Sequence, residues 1–449
     1  MFTTENTEST EERIEHLLFT IEASLCVTSQ SATLKSLMAS PSPASASVAR
    51  LAADRRVHQA FQWLHLQEPR IMTWQAEMVR VEAPPFGEKV RAEWLCERFR
   101  ELGLDGPHID EAGNAIGIRR GKGADVRRVL LSAHIDTVFP AGTPIDADLK
   151  GSRLSAPGAC DNGAGVAAML AMAAALQQSG IATDHDLVFV GNVGEEGEGD
   201  LRGMRHLYGD GKDSEVRAGI AAHIVLDGAG HESAVTHALG SQRYLVAIVG
   251  PGGHSWTDAG RPNPIVLLSR AIDRFSAVTL PDIPRTTMNV GTVEGGTAIN
   301  AIPERAAARF DLRSTDPEQL IRLEVELHRA VEDAVMAANQ NTNHGKRGED
   351  NTVRFTIEKI GDRPAGLLPA DSELMTLLEA VDRHLAIRTE MRLASTDANI
   401  PLSLGIPAVS IGGGGAGGGI HTHAEWYDAR GRDLGLRRIL LLLLAAAGG

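Results

Sequence analysis

The sequence predicts an α/β protein: a mostly parallel sheet with helices on both faces, interrupted by an inserted α+β domain. Three observations carry that prediction. Short apolar runs alternate with helix-forming stretches between Gly103 and Asp227. From about 238 to 361 the pattern changes to four strand-like runs separated by two helical ones. A further apolar run, Ala408 to Ile411, then resumes the first pattern.

Taken in chain order, residues 1–56 read as a loosely ordered appendage. Residues 28–48 are rich in Ser, Thr, Ala and Pro and form a tether without an apolar stripe. The pattern is helical from Val57. A helix is expected over Glu88 to Leu102, with Val90, Trp94, Leu95, Phe99 and Leu102 on one buried face and Gly103 as its stop. Strands follow at Val129–Ala133, Leu187–Val193 and Ile224–Leu226, with a helix from Gly163 to Gln178 among them. The inserted domain takes strands at 241–250, 286–293, 306–313 and 353–360, and helices near 263–278 and 316–338. The resulting division is 1–56, 57–237, 238–361 and 362–449. The apolar run Ile439 to Ala447 is nine residues long. That is half of the ~18 a membrane span needs, so it reads as a core helix.

Composition narrows the function classes. A hydrophobic fraction of 43% is too high for a wholly disordered chain. The formal charge is −14 and no long basic run is present, which argues against nucleic acid as a partner. The first residues carry four Glu before any Arg, the wrong charge for a secretory signal, and no membrane segment is expected. Three cysteines, Cys26, Cys96 and Cys160, cannot all pair and show no CxxC spacing. A reducing, cytoplasmic setting fits them.

Polar residues cluster after the strands. His134 and Asp136 follow one, Glu195 and Glu196 another, Asp227 a third, and His421 and His423 the glycine loop beyond Ile411. In open α/β sheets ligands bind at the carboxyl ends of parallel strands, so these residues can converge despite their separation. Each has an ordinary alternative: Asp161 as a helix N-cap, the glutamates as a solvated acidic turn, Asp227 as a loop residue, Gly412–Gly419 as a flexible linker. A tight loop that lets substrate approach is favoured over the linker. Together, two His, one shared Asp and two further carboxylates suit a pair of divalent ions, with Zn²⁺ preferred and Co²⁺ or Mn²⁺ possible.

The segments HIDTV, GACDNGAG, GEEGEGDLRGMRHL, LDGAG, GPGGHSW, TAINAIPE, DLRS and HTHAEW occur in this order. They resemble the M20 family of dinuclear zinc peptidases and amidohydrolases, especially its tripeptide-aminopeptidase-like and carboxypeptidase-like members, over about residues 58–440. The resemblance implies a split catalytic domain with an inserted lid and dimerisation domain, and two Zn²⁺ per subunit. Asp161 would bridge both ions; His134 and Asp227 would complete one, Glu196 and His421 the other. Glu195 would be the general base, deprotonating a hydroxide-forming water between the metals, and Asp136 would orient His134. His254 would stabilise the oxyanion from the other subunit of a homodimer. Asn300 and Arg313 would hold substrate, Arg313 by its carboxylate. The segment Ser395–Asn399 would line the pocket, His423 its edge, and hinges are expected at Thr236–Gly240 and Gly361–Pro364. The implied activity is hydrolysis of an amide in a small peptide or N-acyl amino acid. The alternatives are a non-peptide amide conjugate as substrate, or an inactive peptide-binding relative.

Overall fold

The structure, a computed structural model, describes residues 42–209, 219–340 and 351–449. The chain divides into two compact units, Met1–Ser47 and Val48–Gly449. Residues 1–41, most of the expected appendage and nearly all of the first unit, lie outside the described residues. The segment expected as a tether up to 48 is helical from Pro43 (α1, Pro43–Ala53). Its Ala-rich sequence favours helix, and Val48 and Leu51, one turn apart, are buried.

Helices α2 (Arg55–Leu66), α3 (Glu68–Val79) and α4 (Lys89–Glu101) lead into the main sheet. Asp54 caps α2 through its side chain, which accepts the Arg56 N–H at 2.7 Å. The buried face of α4 matches the expected one at Leu95, Phe99 and Leu102 but not at Val90. Val90 is 59% exposed, while Arg91, Ala92, Leu95, Cys96 and Phe99 face inward. Arg91 tolerates burial because its guanidinium donates to the carbonyls of Ile135 (2.7 Å) and Val81. A hydrophobicity count cannot see that compensation.

The main sheet begins with β1 (Asp105–Ile109), β2 (Ala115–Arg119), β3 (Arg128–His134), β4 (Asp186–Asn192), β5 (Ile220–Leu226) and β6 (Ser233–Ala238). The inserted domain contributes its own β7 (Gly240–Val249), β8 (Thr286–Gly295), β9 (Arg305–Ser314) and β10 (Arg354–Arg363). The main sheet resumes with β11 (Gly366–Leu367), β12 (Glu390–Ala394) and β13 (Ala408–Ile411). Its order is β1-β2-β4-β3-β5-β13-β6-β11, with β12 also paired to β6. The central strands β4, β3, β5 and β13 are parallel; β1, β2 and β11 are antiparallel to their neighbours.

Helices cover both faces of this sheet. On one face α5 (Gly163–Ser179) is almost wholly buried, packed by α2, α3 and α9 (Arg432–Ala446). On the other, Leu130, Val188 and Val190 meet Met204, Leu207 and Tyr208 of α6 (Arg202–Tyr208). Each fully buried Leu or Met contributes about 1.5–3 kcal/mol by leaving water. The expected terminal core helix is α9, whose Ile439 to Leu444 are completely buried. No helix among the described residues is long and apolar enough to cross a membrane.

The inserted sheet is antiparallel throughout, in the order β8-β9-β7-β10. One of its faces carries α7 (Pro264–Ser276) and α8 (Pro317–Gln340), with Tyr244, Val246, Ile248, Phe275, Phe310 and Leu327 in the shared core. Alternate residues of β7 and β9 point into that core, as a strand's period of two requires. The chain enters this domain after Ala238 and leaves it at Arg363, beside the carboxyl ends of the central parallel strands.

Candidate metal centre

His134 is the last residue of β3, and its ring is buried. Its Nδ1–H donates to the Asp136 backbone carbonyl at 3.2 Å. That bond leaves Nε2 directed at Asp161, with Oδ1 at 3.0 Å, and at Asp227, with Oδ1 at 3.9 Å. Asp227 directly follows β5, and its N–H donates to the Ile411 carbonyl at 3.0 Å. Asp161 directly precedes the cap of α5. The cap is Asn162, whose Oδ1 accepts the N–H groups of Gly165 and Gly228, each at 3.1 Å. Asp161 is thereby free to face the site, contrary to its reading as a helix cap. The Asp161–Asn162 peptide is cis.

The second group assembles on the far side of Asp161. His421 Nε2 lies 3.1 Å from Asp161 Oδ2 and 3.0 Å from Glu196 Oε1. Ligand-capable atoms of His134, Asp161 and Asp227 lie within 4.8 Å of one another, and so do those of Asp161, Glu196 and His421. Asp161 belongs to both triads. Glu195 and Glu196 follow β4 on a turn whose N–H groups both donate to the Asp136 carboxylate, at 3.0 and 2.8 Å. Asp136 thus orients His134 through its backbone carbonyl and the two glutamates through its side chain.

The carboxylates strain against one another. Burial, with Asp161 nearby, pushes the Asp227 carboxyl up to about 7. Burial also raises Glu196, and raises Glu195 well above the usual range against the pull of Arg363. Burial would raise Asp161 too, but hydrogen bonds with His134 and His421 hold it well below. Its hydrogen bond to Asp161 lifts His421 to about 9. Two imidazole nitrogens and three carboxylates converging in this way form the donor set that a pair of divalent ions takes, and cations would relieve the crowding of negative charge.

Residues 130–444 match the sequence profile of peptidase family M20/M25/M40. The chain belongs to this family. A curated relative, uncharacterised protein YqjE of Bacillus subtilis, is 24% identical over 77% of this chain and 90% of its own. Among solved structures, a Staphylococcus aureus tripeptidase superposes with a TM-score of 0.67 at 24% identity, covering 85% of this chain and 98% of that one. Bacillus subtilis YxeP, described as a dinuclear metal-binding peptidase from the M20 family, gives 0.60 at 14% identity, covering 85% and 99%. The mostly parallel sheet with its separate inserted α+β domain is the fold expected of an M20 chain.

The other candidate residues lie around these groups or apart from them. A cavity of about 450 Å³ is floored by the two triads and walled by Ser241, Arg243, Arg313 and Arg363 from the inserted domain. A larger groove, about 690 Å³ beside Arg388 and Glu390, holds none of the convergent groups. Arg313 reaches the cavity with its Nε–H donating to Asp311 at 2.7 Å. His254 and Asn300 do not reach it: both are exposed, near the pairing of Gly253–His254 with Ala301–Ile302. His423 is exposed, its ring 5.6 Å from that of Phe139.

Three supporting residues were not singled out individually in the sequence, although Asp397 falls in the expected pocket segment Ser395–Asn399 and Arg363 in the expected hinge Gly361–Pro364. Glu425, noted there only as part of the HTHAE pattern, accepts the N–H groups of Gly158, Cys160 and Asp161 at 2.7 to 2.9 Å and so shapes the Asp161 loop. Asp397, pushed up to about 6 by burial, accepts from Asn192 at 2.7 Å. Arg363 Nη1 donates to Glu195 Oε1 at 2.9 Å. The glycine loop also differs in purpose from the expected substrate approach. A Cβ on Gly413 would lie 2.6 Å from the Ala164 carbonyl, and one on Gly414 (φ +82°) 2.6 Å from that of Arg432. The protein's own helices fill the space beside these glycines.

Proposed function

We propose that this M20 chain is a dinuclear metal-dependent hydrolase that cleaves an amide bond in a small peptide or N-acyl amino acid. The observation that carries the reading is the meeting of two ligand triads at Asp161 with one more carboxylate, Glu195, beside them. His134, Asp161 and Asp227 would hold one ion; Asp161, Glu196 and His421 the other. Two Zn²⁺ ions, or Co²⁺ or Mn²⁺ in their place, would polarise the amide carbonyl and acidify water.

The protein's own groups account for the rest. Glu195 is buried and has a raised proton affinity, which suits it to take a proton near neutral pH and return it to the departing amine. Asp136 fixes the backbone of both glutamates, and Glu425 fixes that of Asp161. Arg313 would grip a substrate carboxylate with its planar fork. The inserted domain, expected over 238–361 between catalytic parts 57–237 and 362–449 and carried on to Arg363 by β10, would close over the substrate and exclude water. His254 and Asn300 stand on its exposed rim, where a second copy of the chain could receive them. The functional unit is therefore a homodimer. Cys96 and Cys160, buried and free, suit a reducing cytoplasm.

A screen of the metal-loaded protein against di- and tripeptides and N-acyl amino acids tests this reading. Release of free amine from at least one of these classes is expected. No turnover of any of them, with two metal equivalents bound, would defeat it.

A further inference from the structure

Glu195 sits on a turn that the inserted domain grips from outside. Arg363 is the last residue of β10, the strand by which the chain leaves that domain. Its side chain is only 9% exposed. Nη1 donates to Glu195 Oε1 at 2.9 Å, and Nη2 donates to the Glu195 backbone carbonyl. Ser395 Oγ accepts from the same Nη1 at 3.3 Å. Further along the turn, Asp200 accepts the Asp362 N–H, at 3.0 Å to Oδ2, and its Oδ1 lies 4.0 Å from Arg363 Nε. Arg243 of β7 donates to the Gly197 carbonyl at 3.4 Å. The turn that carries Glu195 is thus fastened to both strands, β7 and β10, through which the chain enters and leaves the inserted domain.

A point charge near Glu195 would ease its burial without fixing its direction. A planar fork that holds the carboxylate with one nitrogen and the backbone of the same residue with the other fixes both. Removing the fork would leave a buried carboxylate unpaired and free to turn.

We propose that Arg363 is the positioning residue of Glu195, so that placement of the proton carrier depends on the seating of the inserted domain against the catalytic sheet. Displacement of β10 withdraws the fork and misdirects Glu195 before either of the two triads that share Asp161 is disturbed. This rests on the reading of Glu195 as the proton carrier.

Steady-state kinetics of Arg363→Met and Arg363→Lys, with metal content measured alongside, form the test. In Arg363→Met, kcat falls about a hundredfold, in line with loss of general acid–base catalysis, while KM and the metal equivalents hold. Arg363→Lys, which keeps the charge but not the fork, recovers part of that loss. Wild-type kcat in the Met variant, or a loss carried by KM alone, overturns the proposal. Should the Met variant fail to fold, the Lys variant decides: reduced kcat at unchanged KM upholds the proposal and wild-type kcat overturns it. If the screen yields no substrate, the hydrolase reading fails separately, and amide exchange over residues 194–200 still tests the grip. Faster exchange in Arg363→Met, slowed again in Arg363→Lys, upholds it; exchange equal to wild type overturns it.

Discussion

Replacing Glu195 with Gln keeps the shape of the side chain and removes its capacity to carry a proton. Under the proposed mechanism, Glu195→Gln binds two metal equivalents as the wild type does and loses at least about a hundredfold in kcat. Metal analysis and kinetics on one preparation check this, and near-normal turnover would remove Glu195 from its role. At this scale the sequence was informative where chemistry needs a residue type at a strand end. His134, Asp161, Glu196, Asp227 and His421 stood out as motif residues, and they converge. Arg363 gave no such signal, because a lone Arg before Pro364 looks like any strand-end cation until folding brings Glu195 to it. Asp136 was seen as a partner of His134, but the division of labour between its carbonyl and its carboxylate is a matter of backbone path.

Elements meet in the interior through a histidine that takes no part in the site. His223 of β5 lies between Tyr208 of α6 and Ser132 of β3, its two ring nitrogens each 2.8 Å from a hydroxyl oxygen. Burial depresses its pKa to about 3, so the folded protein keeps it neutral. The unfolded chain protonates a histidine near pH 6.5. The sign follows: His223 costs nothing above that pH, and stability falls as the pH drops from about 6.5 toward about 3, by up to about 1.4 kcal/mol per pH unit. Unfolding free energies measured from pH 7 to 5 should therefore decline less steeply in His223→Gln than in wild type. Parallel slopes would contradict a neutral buried imidazole. Strand and helix periods were legible along most of the chain; β13 begins and ends where its apolar run does. The first turn of α4 was misjudged, Val90 for Arg91, because Arg91 is buried by hydrogen bonds to carbonyls from other segments, which no helical period records.

For the molecule as a whole, the exposed placement of His254 and Asn300 is the main feature that a single chain leaves open. If the homodimer completes each site, His254→Ala subunits and subunits disabled at His134 should regain activity when mixed, since one site of the heterodimer then has intact ligands and a donated histidine. Verified heterodimers without activity would place the complete site within one chain. The sequence resemblance assigned His254 to the partner copy, and its absence from the cavity of its own chain is compatible with that assignment.

The shared Asp161 has a consequence for how the protein is made. His134, Asp161 and Asp227 are all translated before the inserted domain, whereas the triad of Asp161 and Glu196 waits for His421, which follows it. Yet the early triad is not complete on a nascent chain either, because Glu425 holds the Asp161 backbone and the Ile411 carbonyl that of Asp227, and both follow the inserted domain. A chain cut short before Ile411 would thus contain His134, Asp161, Glu196 and Asp227 without the contacts that place two of them, so the whole cluster matures only with the last stretch of sequence.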